Sequence, residues 1–390
     1  MELHIYGGKE IMEYKTLILM HQNTPVAEVL FENKIPCKYL NIYEPEQLPI
    51  GTLGNNEVWQ KRFLKEWYKS RAIPTSRPNI LKIEEILGKN KAELFLLNSG
   101  ISLTDTYWFK EKESEILWEN INFYKNGFDP VFANYYLNQD INGIDSKTPD
   151  YTTDGVMEKC WLMIDEIPYL IKFDNKTNNI LCANEVVFYK ISEFLNITTT
   201  PYYIQNLNGK LGCICPSFIK DDTLDAVNAM QFHFQNRNLA GENLLNRFKS
   251  EFNFEKELSE MMTLDCIFYN KDRHEKNFGI IYKDNKPKEF IPLFDNGNIL
   301  GASSAEYILQ EKEHPILSDS DMMLVPWNRK QILENYGCEI NIDKTYFNTT
   351  LQSVYEQFNI PEILYEYANK ELNQGLEIYE EFLNTKEIER

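Results

Sequence analysis

No stretch of this chain reaches the roughly 20 consecutive apolar residues that a membrane-spanning helix needs. Its opening, MELHIYGGKEIMEYK, lacks the basic region and long apolar run of a signal peptide. The expected location is cytoplasmic, with no membrane partner. Positive charge is also short: 40 Lys and Arg stand against 59 Asp and Glu, a formal net charge of -19. Such a field repels phosphate backbones and anionic lipid, which argues against direct nucleic-acid binding. A few lysines and a metal can still outweigh it locally, so a nucleotide-phosphate pocket is allowed.

Paired cysteines are lacking as well. The seven, at Cys37, Cys160, Cys182, Cys213, Cys215, Cys266 and Cys338, are odd in number and scattered through apolar runs. The tight pair Cys213 and Cys215 has no Cys or His cluster near it, so neither a zinc site nor a disulfide framework is expected. Internal repeats and low-complexity segments are absent. What is present is an ordinary globular balance, 43% hydrophobic and 13% aromatic, in a chain of 390 residues, long enough for two domains or one large domain with an appended module.

KTLILMH, PVAEVLF and CKYLNIY read as three short strands near the start. In EVWQKRFLKEWYKS, Trp59, Phe63 and Trp67 recur at a helical period with Val58, Leu64 and Tyr68, predicting a core-facing helix. ILKIEEILG predicts a short helix closed by Gly88, and ESEILWENINFYKNG another stopping at Gly127. The polar NQDINGIDSKTPDYTTDG places a domain boundary near residue 145. Beyond it, KCWLMID and YLIKF flank DEIP as one hairpin, and PYYIQN and LGCICPSFI flank LNGK as a second, with Asn208-Gly209 a strong two-residue turn signal. Between them, Val187, Ile191, Phe194 and Leu195 share one face of a predicted helix. From about 222 to 390 the pattern is mostly helical apart from NKDRHEKNFGIIYKDNKPKEFIPLFDNG, where FGIIY and FIPLF form a strand pair.

Chemistry gathers in that second half. Lys172 ends an apolar strand run and needs a partner for its ammonium, which Glu185, in the first turn of the following helix, could supply. The pair reads either as a nucleotide-phosphate clamp or as a snorkelling lysine with a solvent-facing glutamate. Gly155, with Thr152 and Thr153, sits in a loop entering the Lys172 hairpin, a weak phosphate-loop signal and otherwise an ordinary turn. Asp272 and Asn277 enclose Arg273, His274 and Lys276, and Asp295 follows the second run. In phosphoryl transfer one Asp deprotonates the acceptor hydroxyl while an Asn and a second Asp ligate Mg²⁺, and these three residues fill those roles in that order.

The set TTDG, YLIKF, NEVVFYKISEFL, NKDRHEKNFGI and PLFDNG resembles the HipA-like serine/threonine kinases over roughly residues 145 to 300. The Asp-Arg-His-x-x-Asn form is also similar to phosphatidylinositol 3- and 4-kinases. The resemblance implies an α+β, bilobal protein-kinase-like fold: a module over 1–145, a small antiparallel N-lobe over 146–220, and a helical C-lobe over 221–390. It implies ATP and Mg²⁺ as cofactors, with Lys172 on ATP phosphates, Glu185 paired to it, Asp272 as base, and Asn277 and Asp295 on the metal. Thr153 and Gly155 would belong to the phosphate-covering loop, Ser217, Phe218 and Ile219 to the adenine hinge, and His274 and Lys276 to secondary phosphate contacts. A single glycine in the loop and Asp-Asn-Gly in place of Asp-Phe-Gly depart from the eukaryotic kinase pattern. The acceptor implied is a protein Ser or Thr hydroxyl, with Thr152 and Thr153 offering hydroxyls for autophosphorylation. A lipid or small-molecule acceptor, or a non-catalytic regulator paired with an antitoxin-like protein, are the alternatives.

Overall fold

The computed structural model describes residues 12–74, 76–77, 79–138, 147–155, 157–235, 241–312 and 324–389. They gather into two compact units, the first holding residues up to 131, 147–155 and 221–224, the second 132–138, 157–220 and 225–389. The boundary expected near residue 145 lies outside the described residues.

In the first unit, β1 (Tyr14–His21), β2 (Thr24–Glu32) and β3 (Ile35–Ile42) are joined by tight turns and extended by β4 (Tyr107–Lys110), giving an antiparallel sheet of order β3-β2-β1-β4. Alternation along β2 buries Val29 and Phe31, which join Leu17, Leu19, Trp67 and Phe109 in one core. Trp67 comes from α1 (Glu57–Lys69), whose first turn is capped by the Asn56 side chain. Next, α2 (Ile80–Leu87) ends on left-handed Gly88, and α3 (Lys91–Leu97) opens with an Asn90–Glu93 capping box.

The helix expected over ESEILWENINFYKNG is not formed. Only a 3₁₀ turn at Trp118–Asn120 and the single turn α4 (Phe123–Asn126) are helical there. Trp118 is anchored sideways instead: its backbone N–H donates to Asn23 at 2.7 Å and its indole to the Asp222 carbonyl at 3.1 Å. Asn122 and Asn126 spend their side chains on nearby backbone, which competes with a continuous helix. The next helix, α5 (Val131–Asn138), leads towards the second unit.

There β5 (Glu158–Ile164) and β6 (Ile167–Phe173) pair through the two-residue turn Asp165-Glu166, both residues having positive φ. A helix, α6 (Ile180–Phe194), precedes β7 (Tyr203–Leu207) and β8 (Lys210–Pro216), joined at left-handed Asn208 and Gly209, and the sheet order is β5-β6-β8-β7. A strand that the sequence pattern misses, β9 (Leu224–Asn228), joins β10 (Gly279–Lys283) and β11 (Lys286–Phe290) in a second sheet. The β10–β11 turn is Asp284-Asn285, so the partner strand is KPKEF, and FIPLF contributes only its first residue. The pattern was misleading because β11 is exposed at Lys286 to Glu289 and so carries no apolar alternation.

The remainder is helical: α7 (Ala229–Gln235), α8 (Glu242–Ser250), α9 (Glu255–Ile267), α10 (Ala305–Glu311), α11 (Arg329–Tyr336), α12 (Lys344–Gln357) and α13 (Glu362–Glu389). The class is α+β, with the order expected of a kinase-like fold, a small antiparallel sheet followed by a mostly helical part. All seven cysteines are free, and six are buried. No described helix is long and apolar enough to cross a membrane.

Candidate active site

The register of β6 turns Lys172 to the same face as Lys159 on β5 and Cys213 on β8. Lys172 is buried, and an ammonium there is stable only if its charge is answered. Two carboxylates answer it: Glu185 at 2.5 Å and Asp295 at 2.8 Å. Burial alone would lower the lysine's pKa, but Asp295 and Glu185 outweigh it and hold the pKa well above the usual value. The snorkelling alternative is excluded for Lys172, and Glu185 is buried too. Glu185 stands five residues past the start of α6, one turn deeper than its sequence position suggests. The helix is entered through Asp174, whose carboxylate accepts from the Leu181 N–H at 3.0 Å.

The second carboxylate oxygen of Glu185 accepts the backbone N–H of Asn296 at 2.9 Å. One residue earlier, Asn184 donates to the carbonyls of Gly297 and Ile299 and accepts from the Tyr355 hydroxyl of α12. α6 is thus bolted to the Asp295-Asn296-Gly297 loop. The glycine is required by this approach, because a Cβ at 297 would lie 2.7 Å from the Leu181 carbonyl oxygen. Gly297→Ala is expected to lower stability by about 1–3 kcal/mol through overpacking, read as a shift of the urea midpoint at unchanged slope.

Arg273 organises the other loop. Its guanidinium forms a fork on Asp265 at the end of α9, at 2.9 and 3.0 Å, and both residues are buried. Its Nη1 donates to the carbonyls of Asn277 and Phe294, at 3.0 and 3.2 Å, and its Nη2 to Asn296 Oδ1 at 2.5 Å. One side chain therefore spans the chain at Asn277 and the chain just before Asp295. Asn277 is buried, and its amide nitrogen donates to the Asp272 carbonyl at 3.1 Å. Asp272, Asn277 and Asp295 are brought together, and the charges of the two aspartates act on each other.

Their electrostatics differ. Asp295 sits in left-handed backbone and its side chain is 41% exposed. The Lys172 charge holds it well below the usual carboxylate range against the opposing effect of burial, with help from Lys159 and His274. Asp272 is shifted up, first by burial and also by Asp295, against the pull of His274, Asn298 and Arg273. A raised carboxylate is the better proton acceptor, while a depressed one is the better permanent anion. Asn277 and Asp295 each spend one polar atom on the protein and leave an oxygen, Oδ1 and Oδ2 respectively, directed to no described hydrogen-bond donor. Both are hard oxygen donors of the kind that fits Mg²⁺. Among the described residues no group of three or more His, Cys, Asp and Glu could hold a metal ion.

Other expected site residues are placed as follows. Thr153 and Gly155 lie in the first unit, where the buried Arg77 guanidinium holds the carbonyls of Thr153, Asp154 and Gly155 at 2.5, 3.0 and 3.1 Å. Thr152 is buried with its hydroxyl donating to Ile101, and Thr153 donates to Pro149. The Ser217 N–H is engaged by the Pro168 carbonyl at 2.8 Å, Ile219 is buried, and Phe218 packs on Phe294 with ring centres 5.3 Å apart. The Nδ1 of His274 accepts the Lys276 N–H at 3.3 Å. Residues that sequence reasoning missed are Asp265, Asn184, Asn296 and Lys159. Only Lys159 had a legible signal: a two-residue turn at Asp165-Glu166 places it opposite Lys172.

In structure the chain is similar to the Helicobacter pylori proinflammatory kinase CtkA, at 16% identity and a TM-score of 0.43, over 60% of this chain and 95% of that one. It is similar to HipA of Shewanella oneidensis MR-1, solved with HipB and operator DNA as a toxin-antitoxin system, at 12% identity and a TM-score of 0.44, over 94% and 91% of the two chains. A HipA protein, of the family that the motifs resemble, is thus among the similar structures. No family model matches the sequence, and no curated protein matches it.

Proposed function

We propose that the protein is an ATP- and Mg²⁺-dependent kinase that transfers the γ-phosphoryl group to a Ser or Thr hydroxyl of a protein. The observation that carries this reading is the shared ammonium of Lys172, held between Glu185 and the depressed Asp295, with Asp295 tied through Arg273 to the loop of Asp272 and Asn277. A lysine and two carboxylates serving packing alone would be costly against an apolar alternative of the same size. In this reading Lys172 contacts phosphate oxygens while Glu185 fixes its position. Asp272 accepts the proton of the acceptor hydroxyl as that oxygen bonds to the γ-phosphorus and the bond to ADP breaks. Asn277 and Asp295 would hold Mg²⁺, which when bound neutralises charge developing on the phosphate oxygens. By the sequence resemblance Ser217, Phe218 and Ile219 would border adenine, and His274 and Lys276 would make secondary phosphate contacts. An antitoxin-like partner protein belongs to the proposal through the sequence resemblance alone.

Titration calorimetry of the full chain with ATP tests the reading. Binding in the presence of Mg²⁺ that weakens by about tenfold or more when EDTA replaces the metal is expected. No binding with Mg²⁺ present overturns it.

A further inference from the structure

The residue after Asp295 makes two contacts that its side-chain chemistry does not explain by packing alone. Asn296 is wholly buried. Its backbone N–H reaches Glu185 on α6, and its Oδ1 accepts from Arg273, the residue that fixes the Asp272–Asn277 loop. Beside the Phe294 carbonyl, which Arg273 also holds, it joins the Lys172–Glu185–Asp295 cluster to the Asp265–Arg273 pair, and does so by its own side chain and backbone. Its other side-chain polar atom, Nδ2, is buried with no hydrogen-bond partner among the described residues. An orphaned buried donor is costly, and aspartate would remove it while keeping an acceptor for Arg273. The amide's advantage over the carboxylate is neutrality. Glu185, Asp265, Asp272 and Asp295 already outnumber the lysine and arginine charges of Lys172, Arg273 and Lys159, so another carboxylate would add to the negative charge beside the site.

We propose that Asn296 is a positioning residue that couples the metal-ligand loop to the base-bearing loop through a neutral acceptor, so that the link does not repel nucleotide phosphates. The proposal rests on the kinase reading. It separates two consequences of substitution. Asn296→Asp keeps the acceptor and the link but adds charge, and should weaken ATP binding. Asn296→Leu keeps neutrality and size but removes the acceptor, and should slow transfer.

ATP affinity of both variants, measured by calorimetry with Mg²⁺, and their steady-state transfer rates test this. Asn296→Asp is expected to bind ATP at least about tenfold more weakly than wild type. Asn296→Leu is expected to bind within about threefold of wild type while kcat falls at least about tenfold. Thermal unfolding of each variant without nucleotide accompanies the titration, and a cooperative transition qualifies the protein for comparison. Asn296→Asp binding ATP as tightly as wild type, or both variants losing affinity equally, overturns the Asn296 assignment and leaves the kinase reading standing. Wild-type protein that binds no ATP overturns both.

Discussion

Replacing Arg273 with alanine is expected to lower the stability of the protein by about 3–5 kcal/mol. The guanidinium is only 2% exposed, and its removal leaves Asp265 as a buried carboxylate supported by the Asn270 amide. The carbonyls of Asn277 and Phe294 and the Oδ1 of Asn296 lose their donor in the same step. Against a typical total of about 5–15 kcal/mol, this puts the fold near its margin. Lysine at 273 should recover only part of the loss, because one ammonium cannot reproduce a fork that meets Asp265 with two nitrogens. Urea unfolding of the Ala and Lys variants measures both. A change under about 1 kcal/mol for alanine would mean that the two loops are held by something other than Arg273.

Lys172→Met is the second large effect. Phosphoryl transfer is expected to fall at least about 100-fold, the scale of losing one preorganised charge contact. Stability should change with a diagnostic pH dependence. In the wild type Asp295 has a depressed pKa, so its contribution is present above the unfolded carboxylate pKa of about 4 and is lost only as pH falls through the lower folded value. In the wild type burial already pushes Glu185 up against the pull of Lys172, and without the ammonium that pull is lost and the mutual repulsion of Glu185 and Asp295 pushes both up. A raised carboxylate contributes stability below about pH 4 that is lost as pH rises through its folded pKa. The stability gap between wild type and Lys172→Met should therefore widen from about pH 4 to about pH 7. Urea unfolding across that window reads it, and a gap that narrows with rising pH would contradict the charge arrangement.

The parts legible in the sequence are those whose signals are local. Asn208-Gly209 announces its hairpin because left-handed backbone is inexpensive for those residues, and the β1 to β3 runs are short and apolar with polar residues between them. Lys172 stands out because a charge in YLIKF breaks an apolar run, and Asp272, Asn277 and Asp295 because polar residues crowd the ends of one. What could not be read depends on partners distant in the chain. Asp265 lies within α9 and looks like any helical acid until Arg273 reaches back to it. Arg273 stands in a basic cluster with His274 and Lys276, yet it is buried as a strut. Asn296 gains its meaning from Glu185, and the fate of 113–127 was decided by Trp118 finding Asn23 and Asp222. Helical or strand periodicity carries no trace of such pairings.

The central claim is that Asp272 and Asp295 serve one phosphoryl transfer. Incubation of the full chain with γ-labelled ATP and Mg²⁺, alone, with mixed proteins and with lipid vesicles, alongside Asp272→Ala and Asp295→Asn, tests it most directly. The expected result is label on protein for the wild type and a loss of at least about 100-fold in both variants. Equal labelling by all three proteins would contradict the residue assignments, label on lipid alone would contradict the protein acceptor, and no transfer by the wild type to any acceptor would contradict the kinase itself.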